Sequence, residues 1–418
     1  MRRDAARRAL AALLAGVAMT IGAIAGAGAA PALTALEYRD LSGWAEDDHA
    51  AALRAVAKSC GSARGGAPAL GLTDADWAEA CAGAAQVGRD RAAAQAFFVA
   101  RFAPVLIEDG APPLVTGYYE PELTAARAYG GAFRHPIHRL PDDHPGDAPW
   151  LTRAEIARGA LAGRGLELAW LADPIEAYFL QIQGSGRLRM ADGALLRVGF
   201  AARNGRPYVS IGRIMKAEGI LRGAPITADA IKDWARAHPA AARALMDRNP
   251  SYIFFEEASG LAPADGPRGA MALPLTPMRS VAVDPAYVPL GGPVWLETTG
   301  PRGPIRTLLA AQDTGSAIKG AQRADIFFGS GDGAGRLAGR MQAPGRLVAL
   351  LPRRAMVRLG LVAPAGMLAS DALPPLNAPA GMIPPDAPVE TLLSGAPVWT
   401  ILSGAPVWTI PLNAPAGR

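Results

Sequence analysis

The chain has 418 residues, 50% hydrophobic and 19% charged, enough for a sizeable core and for two domains. Alanine inflates the hydrophobic share, so the apolar volume is lower than that percentage implies. The net charge is +5, carried mostly by scattered arginines, and no Lys/Arg-rich run with interleaved aromatics occurs. That pattern argues against a nucleic-acid partner. The five histidines are dispersed and there is no Cys-x-x-Cys pair, so no metal site is offered.

Residues 1–30 read as an export signal. Arg2, Arg3, Arg7 and Arg8 form a basic start, followed by small and apolar residues that end in AGAGAA. Cleavage near Ala30 would leave a periplasmic protein. The segment is also long enough to stay as an anchor, and then it is the chain's expected membrane contact.

Residues 44–102 are expected to be mostly helical. Leu53, Val56 and Ala57 share a face, as do Phe98 and Phe102, and Asp74 reads as an N-cap. Cys60 and Cys81 are the only cysteines. In an exported chain they form one disulfide, closing a loop of about 20 residues, or stay as two buried thiols.

From residue 114 the pattern turns to short β-type runs bounded by Gly, Pro, Asp or Asn. They are LVTGYYEP, YFLQIQ, LLRVGFAA, YIFFE, SVAVD, VWLETT, IRTLLAAQD, ADIFFG and GRLVALLP. His135 and His138 lie in HPIHRLP, an extended segment. Helices are expected over residues 152–162 and 227–247, the second capped by Thr227 and split by Pro239. Residues 362–418 are rich in Pro, Ala and Gly and carry LSGAPVWTI twice in tandem, a composition expected to be a flexible tail.

The chemistry concentrates in residues 308–331, LLAAQDTGSAIKGAQRADIFFGSG. Asp313 and Asp325 are each embedded in an apolar run. A carboxylate leaves water at a cost of several kcal/mol unless hydrogen-bonded or protonated. Burial raises a carboxyl pKa, the condition for a general acid near neutral pH. Either acid could instead cap a turn or pair with Lys319 or Arg323. GSGDGAG lacks the GK[ST] ending of a phosphate loop, and QGSG lacks the frame of a serine nucleophile. Asp284, before a proline, reads as a turn residue.

In order and spacing, seven segments resemble the membrane-bound lytic murein transglycosylase A family with its C-terminal 3D domain. They are VTGYYEPEL, HPIHRLP, YFLQIQGSGRLRMADG, GRPYVSIGRIM, NPSYIFFEE, LTPMRSVAVDPAYVPLGGPVWLE and the acid-bearing segment itself, spanning residues 115–331. The resemblance implies a mainly β protein, a double-psi β-barrel with an inserted β-rich domain and a substrate groove between them. The barrel maps to residues 45–121 and 254–352, the insertion to 122–253. It implies cleavage of peptidoglycan glycan strands without a cofactor, with Asp325 as the single acid/base and Asp313 in support. Cell-wall synthesis or division proteins are conceivable partners. One groove wall would comprise Thr116, Gly117, Tyr118 and Tyr119. The other would comprise Gln181, Gln183, Gly184, Ser185 and Gly186, with Gln181 and Gln183 on one face of a strand. Lys319, Arg323 and Arg279 could meet the glycan's carboxylates. The best-known members carry a lipid on a cysteine at the cleavage site. This chain has no cysteine before Cys60, so a lipid anchor is not expected.

Overall fold

In a computed structural model the described residues are 30–62, 67–222 and 226–361. The export segment, Ala30 excepted, and the repeat-bearing tail lie outside them.

A helical front precedes the sheets: β1 (Ala32–Ala35), then α1 (His49–Ser59), α2 (Asp74–Cys81) and α3 (Arg91–Arg101). Thr73, not Asp74, caps α2. Its hydroxyl accepts the Asp76 N–H, and the Asp76 carboxylate accepts the Thr73 N–H at 2.8 Å. The run from 74 to 102 breaks at Gly83 and Gly88, whose φ of +82° and +71° no helix interior admits. Cys60 and Cys81 are joined as a disulfide, with Cα atoms 5.7 Å apart. Leu53, Val56, Phe98 and Phe102 pack on Trp295 and Leu308 in one buried cluster, which fastens the front to the first sheet.

The remaining strands are β2 (Phe102–Glu108), β3 (Leu114–Glu120), β4 (Glu122–Ala126), β5 (His135–His138), β6 (Glu167–Leu171), β7 (Gly186–Met190), β8 (Leu195–Arg203) and β9 (Ile253–Glu257). After them come β10 (Ser280–Val283), β11 (Pro293–Gly300), β12 (Gly303–Asp313), β13 (Arg323–Ser330), β14 (Gln342–Ala343) and β15 (Gly345–Pro352). One mixed sheet has nine strands in the order β1-β2-β15-β11-β12-β10-β13-β3-β14. The other has six, β5-β6-β4-β7-β8-β9. The nine-stranded sheet curls until it nearly closes: Gly345, at the start of β15, lies against the Val115 side chain of β3.

The chain leaves the first sheet after β3 and rejoins it at β10. The return expected at residue 254 falls inside β9, which pairs with β8 in the second sheet, so the crossing back comes after Glu257. The second sheet is backed by α4 (Arg153–Ala157), α5 (Pro174–Gln183), α6 (Ile211–Glu218), α7 (Ala228–Ala237) and α8 (Pro239–Asp247). Thr227 caps α7 as expected, accepting from Ala230 N at 3.1 Å, and Pro239 opens α8. The expected helix over 152–162 stops at Ala157.

YFLQIQ, expected as a strand, is the end of α5. Pro174 at its first position, the Asp173 carboxylate on Ile175 N–H at 2.7 Å and Gly184 at φ +79° supply a complete set of helix boundary signals. One further helix, α9 (Gly331–Ala338), follows β13 directly.

Candidate active site

Asp325 lies mid-strand on β13, between antiparallel β10 and parallel β3, and its register partner on β3 is Thr116. Thr116 Oγ1 donates to Asp325 Oδ1 at 2.6 Å and itself accepts from Arg323 Nη2 at 2.8 Å. Two residues along β3, on the same face, the Tyr118 hydroxyl donates to Asp313 Oδ2 at 2.7 Å. Asp313 ends β12, and its other oxygen accepts N–H groups from Ala270 and Thr314, each at 2.9 Å. The Tyr118 ring lies 5.4 Å from that of Phe327. Ala324, Ile326 and Phe327 are fully buried around a half-buried Asp325.

Burial pushes the Asp325 carboxyl up to about 6, and the neighbouring Asp313 charge adds to the rise. The Thr116 hydroxyl and Arg323 oppose it. Burial also raises Asp313, against the pull of its three donors. The Tyr118 hydroxyl is pushed well above its ordinary range by burial and by Asp313, so it stays a donor. Two interacting carboxyls of unequal environment are the arrangement by which acid and supporting roles can be separated.

The predicted first wall is therefore partly machinery: Thr116 and Tyr118 hold the acids. Gly117 lies beneath Phe328, where a Cβ would come within 2.5 Å of the ring. The Tyr119 N–H donates to Gln183 Oε1 at 3.0 Å, bridging β3 to α5. In the second wall the strand geometry is overturned. On a helix, residues two apart point to different sides, and Gln181 is buried while Gln183 reaches β3. Ser185 is buried too, and Gly186 packs on Leu180. Gly184 is the left-handed cap of α5.

The cationic candidates are placed otherwise than expected. Arg279 forms a two-pronged pair with buried Asp47, at 2.8 and 2.9 Å. Arg323 is spent on Thr116 and on the carbonyls of Leu114 and Ala324. Lys319 is 64% exposed, and its ion pair is with Asp284 at 3.5 Å, not with either acid. Asp284 does hold a turn, accepting from Ala286 N and Gly320 N. His138 is buried and shares a 2.7 Å hydrogen bond with the Tyr252 hydroxyl. Among the described residues no three His, Cys, Asp or Glu side chains cluster as a metal site.

Sequence reasoning missed the partners of the acids, which lie 209 and 195 residues away. It also missed Glu120, a fully buried carboxylate at the end of β3 that accepts from Arg187, Arg197 and Ser330. The signal for Glu120 was an acid wedged between YY and Pro.

A nine-stranded and a six-stranded sheet, with a carboxyl pair held by β3 of the first, define the class to compare with known proteins. Residues 114–256 match the MltA specific insert domain and residues 279–351 the 3D domain. The crystal structure of membrane-bound lytic murein transglycosylase from Agrobacterium tumefaciens aligns at 32% identity and TM-score 0.70, covering 78% of this chain and 99% of that one. Escherichia coli MltA, crystallised with bound chitohexaose, aligns at 28% identity and TM-score 0.56, covering 77% of this chain and 92% of that one. Membrane-bound lytic murein transglycosylase A of Vibrio cholerae is 35% identical over 243 residues, 56% of this chain and 64% of that relative, so the match spans under two thirds of its length. This chain belongs to the membrane-bound lytic murein transglycosylase A family.

Proposed function

We propose that this chain is a periplasmic lytic transglycosylase. It cleaves the β-1,4 bond between N-acetylmuramic acid and N-acetylglucosamine in peptidoglycan. Protonated Asp325 gives its proton to the glycosidic oxygen as the C1–O bond breaks and positive charge spreads over the muramic ring. The resulting carboxylate then takes the proton of the same sugar's C6 hydroxyl while that oxygen bonds to C1. A 1,6-anhydromuramoyl end forms, no water is consumed, and Asp325 regains its proton. Holding C6-OH over C1 makes the second step intramolecular.

The observation that carries the reading is a carboxyl raised to about 6, half-buried on β13 between Thr116 and a second carboxyl, Asp313. Asp313, with three donors on its oxygens, is suited to steadying positive charge rather than to activating a water. The chitohexaose bound by the Escherichia coli relative supports a β-1,4 glycan as ligand. In this reading the nine-stranded sheet is a double-psi barrel and the second sheet an inserted wall. Gln183 and Gly184 are assigned to the glycan-facing wall, and Lys319, exposed though paired with Asp284, to the glycan's carboxylates. Among the described residues no helix is long and apolar enough to cross a membrane.

Mass spectrometry of muropeptides released from purified sacculi by the whole protein tests the reading. Soluble products lighter by one water, absent with Asp325→Asn, are expected. Reducing-end products would make this a two-carboxylate hydrolase, and no products would leave a glycan-binding scaffold.

A further inference from the structure

Besides β12, which carries Asp313, three chain segments touch the acid pair: β3 through Thr116 and Tyr118, β13 through Asp325 itself, and the loop after β9 through Ala270. All three also pass through one buried cluster. At its centre is Glu120, 1% exposed. Its Oε2 accepts from Arg187 Nε at 2.8 Å and from Ser330 Oγ at 2.7 Å, and its Oε1 from Arg197 Nη2 at 2.8 Å. Ser330 is on the strand of Asp325. Arg187 and Arg197 stand on β7 and β8 of the second sheet. Their remaining N–H groups hold the returning loop by the carbonyls of Ala262, Pro263 and Asp265, at 2.8 to 3.3 Å. The cluster thus sits where the chain leaves the first sheet and where it comes back.

Each buried hydrophobic cluster among the described residues draws from one sheet system only. A buried carboxylate with two guanidiniums is no better for stability than apolar side chains of the same volume, and its directional bonds fix geometry instead.

We propose that Glu120 is a positioning residue. It clamps the inserted sheet to the acid-bearing strands and so fixes the width and angle of the groove. The inference rests on the transglycosylase reading for its catalytic consequence, but not for its geometric one. A glycan spanning both walls reaches the acid in register only while the clamp holds, and a misplacement of about 1 Å can lower the rate about 10²-fold.

The test uses the full chain with its native disulfide. Spin labels at Ala191→Cys, on the turn after β7, and Arg302→Cys, between β11 and β12, report the distance between the sheets. The parent should give one narrow distance distribution. Glu120→Gln, checked by circular dichroism for native content, should broaden it. Its kcat/KM on sacculi should fall about 10–10²-fold, mainly through KM. The pH at which activity falls should not move, because no group around Asp325 has changed. Glu120→Asp keeps the charge but is one methylene short, so it should broaden the distribution less and recover part of the activity. If Glu120→Gln does not fold, the width for Glu120→Asp decides. A distribution as narrow as the parent's in the folded variant would overturn the clamp and leave Glu120 a stabilising residue only. Inert parent protein on sacculi with a broadened Glu120→Gln would sink the transglycosylase reading and leave the clamp standing.

Discussion

Asp325 is pulled both ways by groups that can be removed one at a time. In the proposed reaction it must carry its proton when glycan binds, so kcat/KM should fall as pH rises through about 6. Asp313→Asn removes a like charge that favours the protonated form, so the fall should begin at lower pH. Thr116→Val removes a hydroxyl that stabilises the carboxylate, so it should begin at higher pH. Opposite shifts in the two pH–rate profiles check the assignment, and shifts of the same sign would refute it. The same imbalance acts on stability. A carboxyl at 3.8 when unfolded and about 6 when folded binds its proton more tightly in the native state. Stability is therefore intact below 3.8 and lost as pH rises towards 6. Asp325→Asn, which never ionises, should be more stable than the parent at pH 7 by about 1–3 kcal/mol, with the gap closing near pH 4. Urea midpoints at the two pH values measure it. The sequence displayed the acid in its apolar run. It could not display Thr116, because strand pairing between β3 and β13 is set by the tertiary fold and leaves no periodic trace across 209 residues.

At the scale of elements, β3 is the common support. Residues 116, 118 and 120 share one face and hold Asp325, Asp313 and the clamp, while the N–H of Tyr119 reaches α5. This needs β3 to lie close under β13 and α9, and Gly117 permits it. An added Cβ would come within 2.5 Å of the Phe328 ring and 3.0 Å of the Ala338 Cα. The backbone contact cannot swing away as a side chain can. Gly117→Ala should therefore cost about 1–3 kcal/mol in thermal or urea unfolding. It should also lower kcat by displacing both hydroxyl donors at once. Unchanged activity would mean that β3 can shift without moving the acids. Local pattern gave mixed guidance here. ADIFFG and IRTLLAAQD are strands as expected, and Pro239 divides its two helices. YFLQIQ misled because apolar residues interrupted by two glutamines suit either period, yet its flanking Asp-Pro and Gly marked a helix throughout.

For the whole molecule, the sheet that begins at residue 32 and ends at 352 is interrupted by the six strands of another. Hydrophobic periodicity reports which face of an element is buried, never against which element. The discontinuity was therefore open to family resemblance but not to patterning, and resemblance still placed the return inside β9. Among the described residues the two systems have separate apolar cores, and the ties between them include the polar cluster, the Tyr119–Gln183 bond and the Tyr119–Lys232 bond. Polar junctions of this kind transmit unfolding more weakly than a shared apolar core does. Heating should therefore melt the two systems in overlapping but distinct steps, with a calorimetric enthalpy above the van 't Hoff value. Native-state hydrogen exchange should show β4 to β9 opening at a different free energy from β10 to β13. Glu120→Gln should separate the steps further, since it weakens a buried ionic tie between them. A single two-state transition that the substitution shifts without splitting would show instead that the junction couples the cores as strongly as a shared apolar interior, and the groove would then be rigid without the clamp.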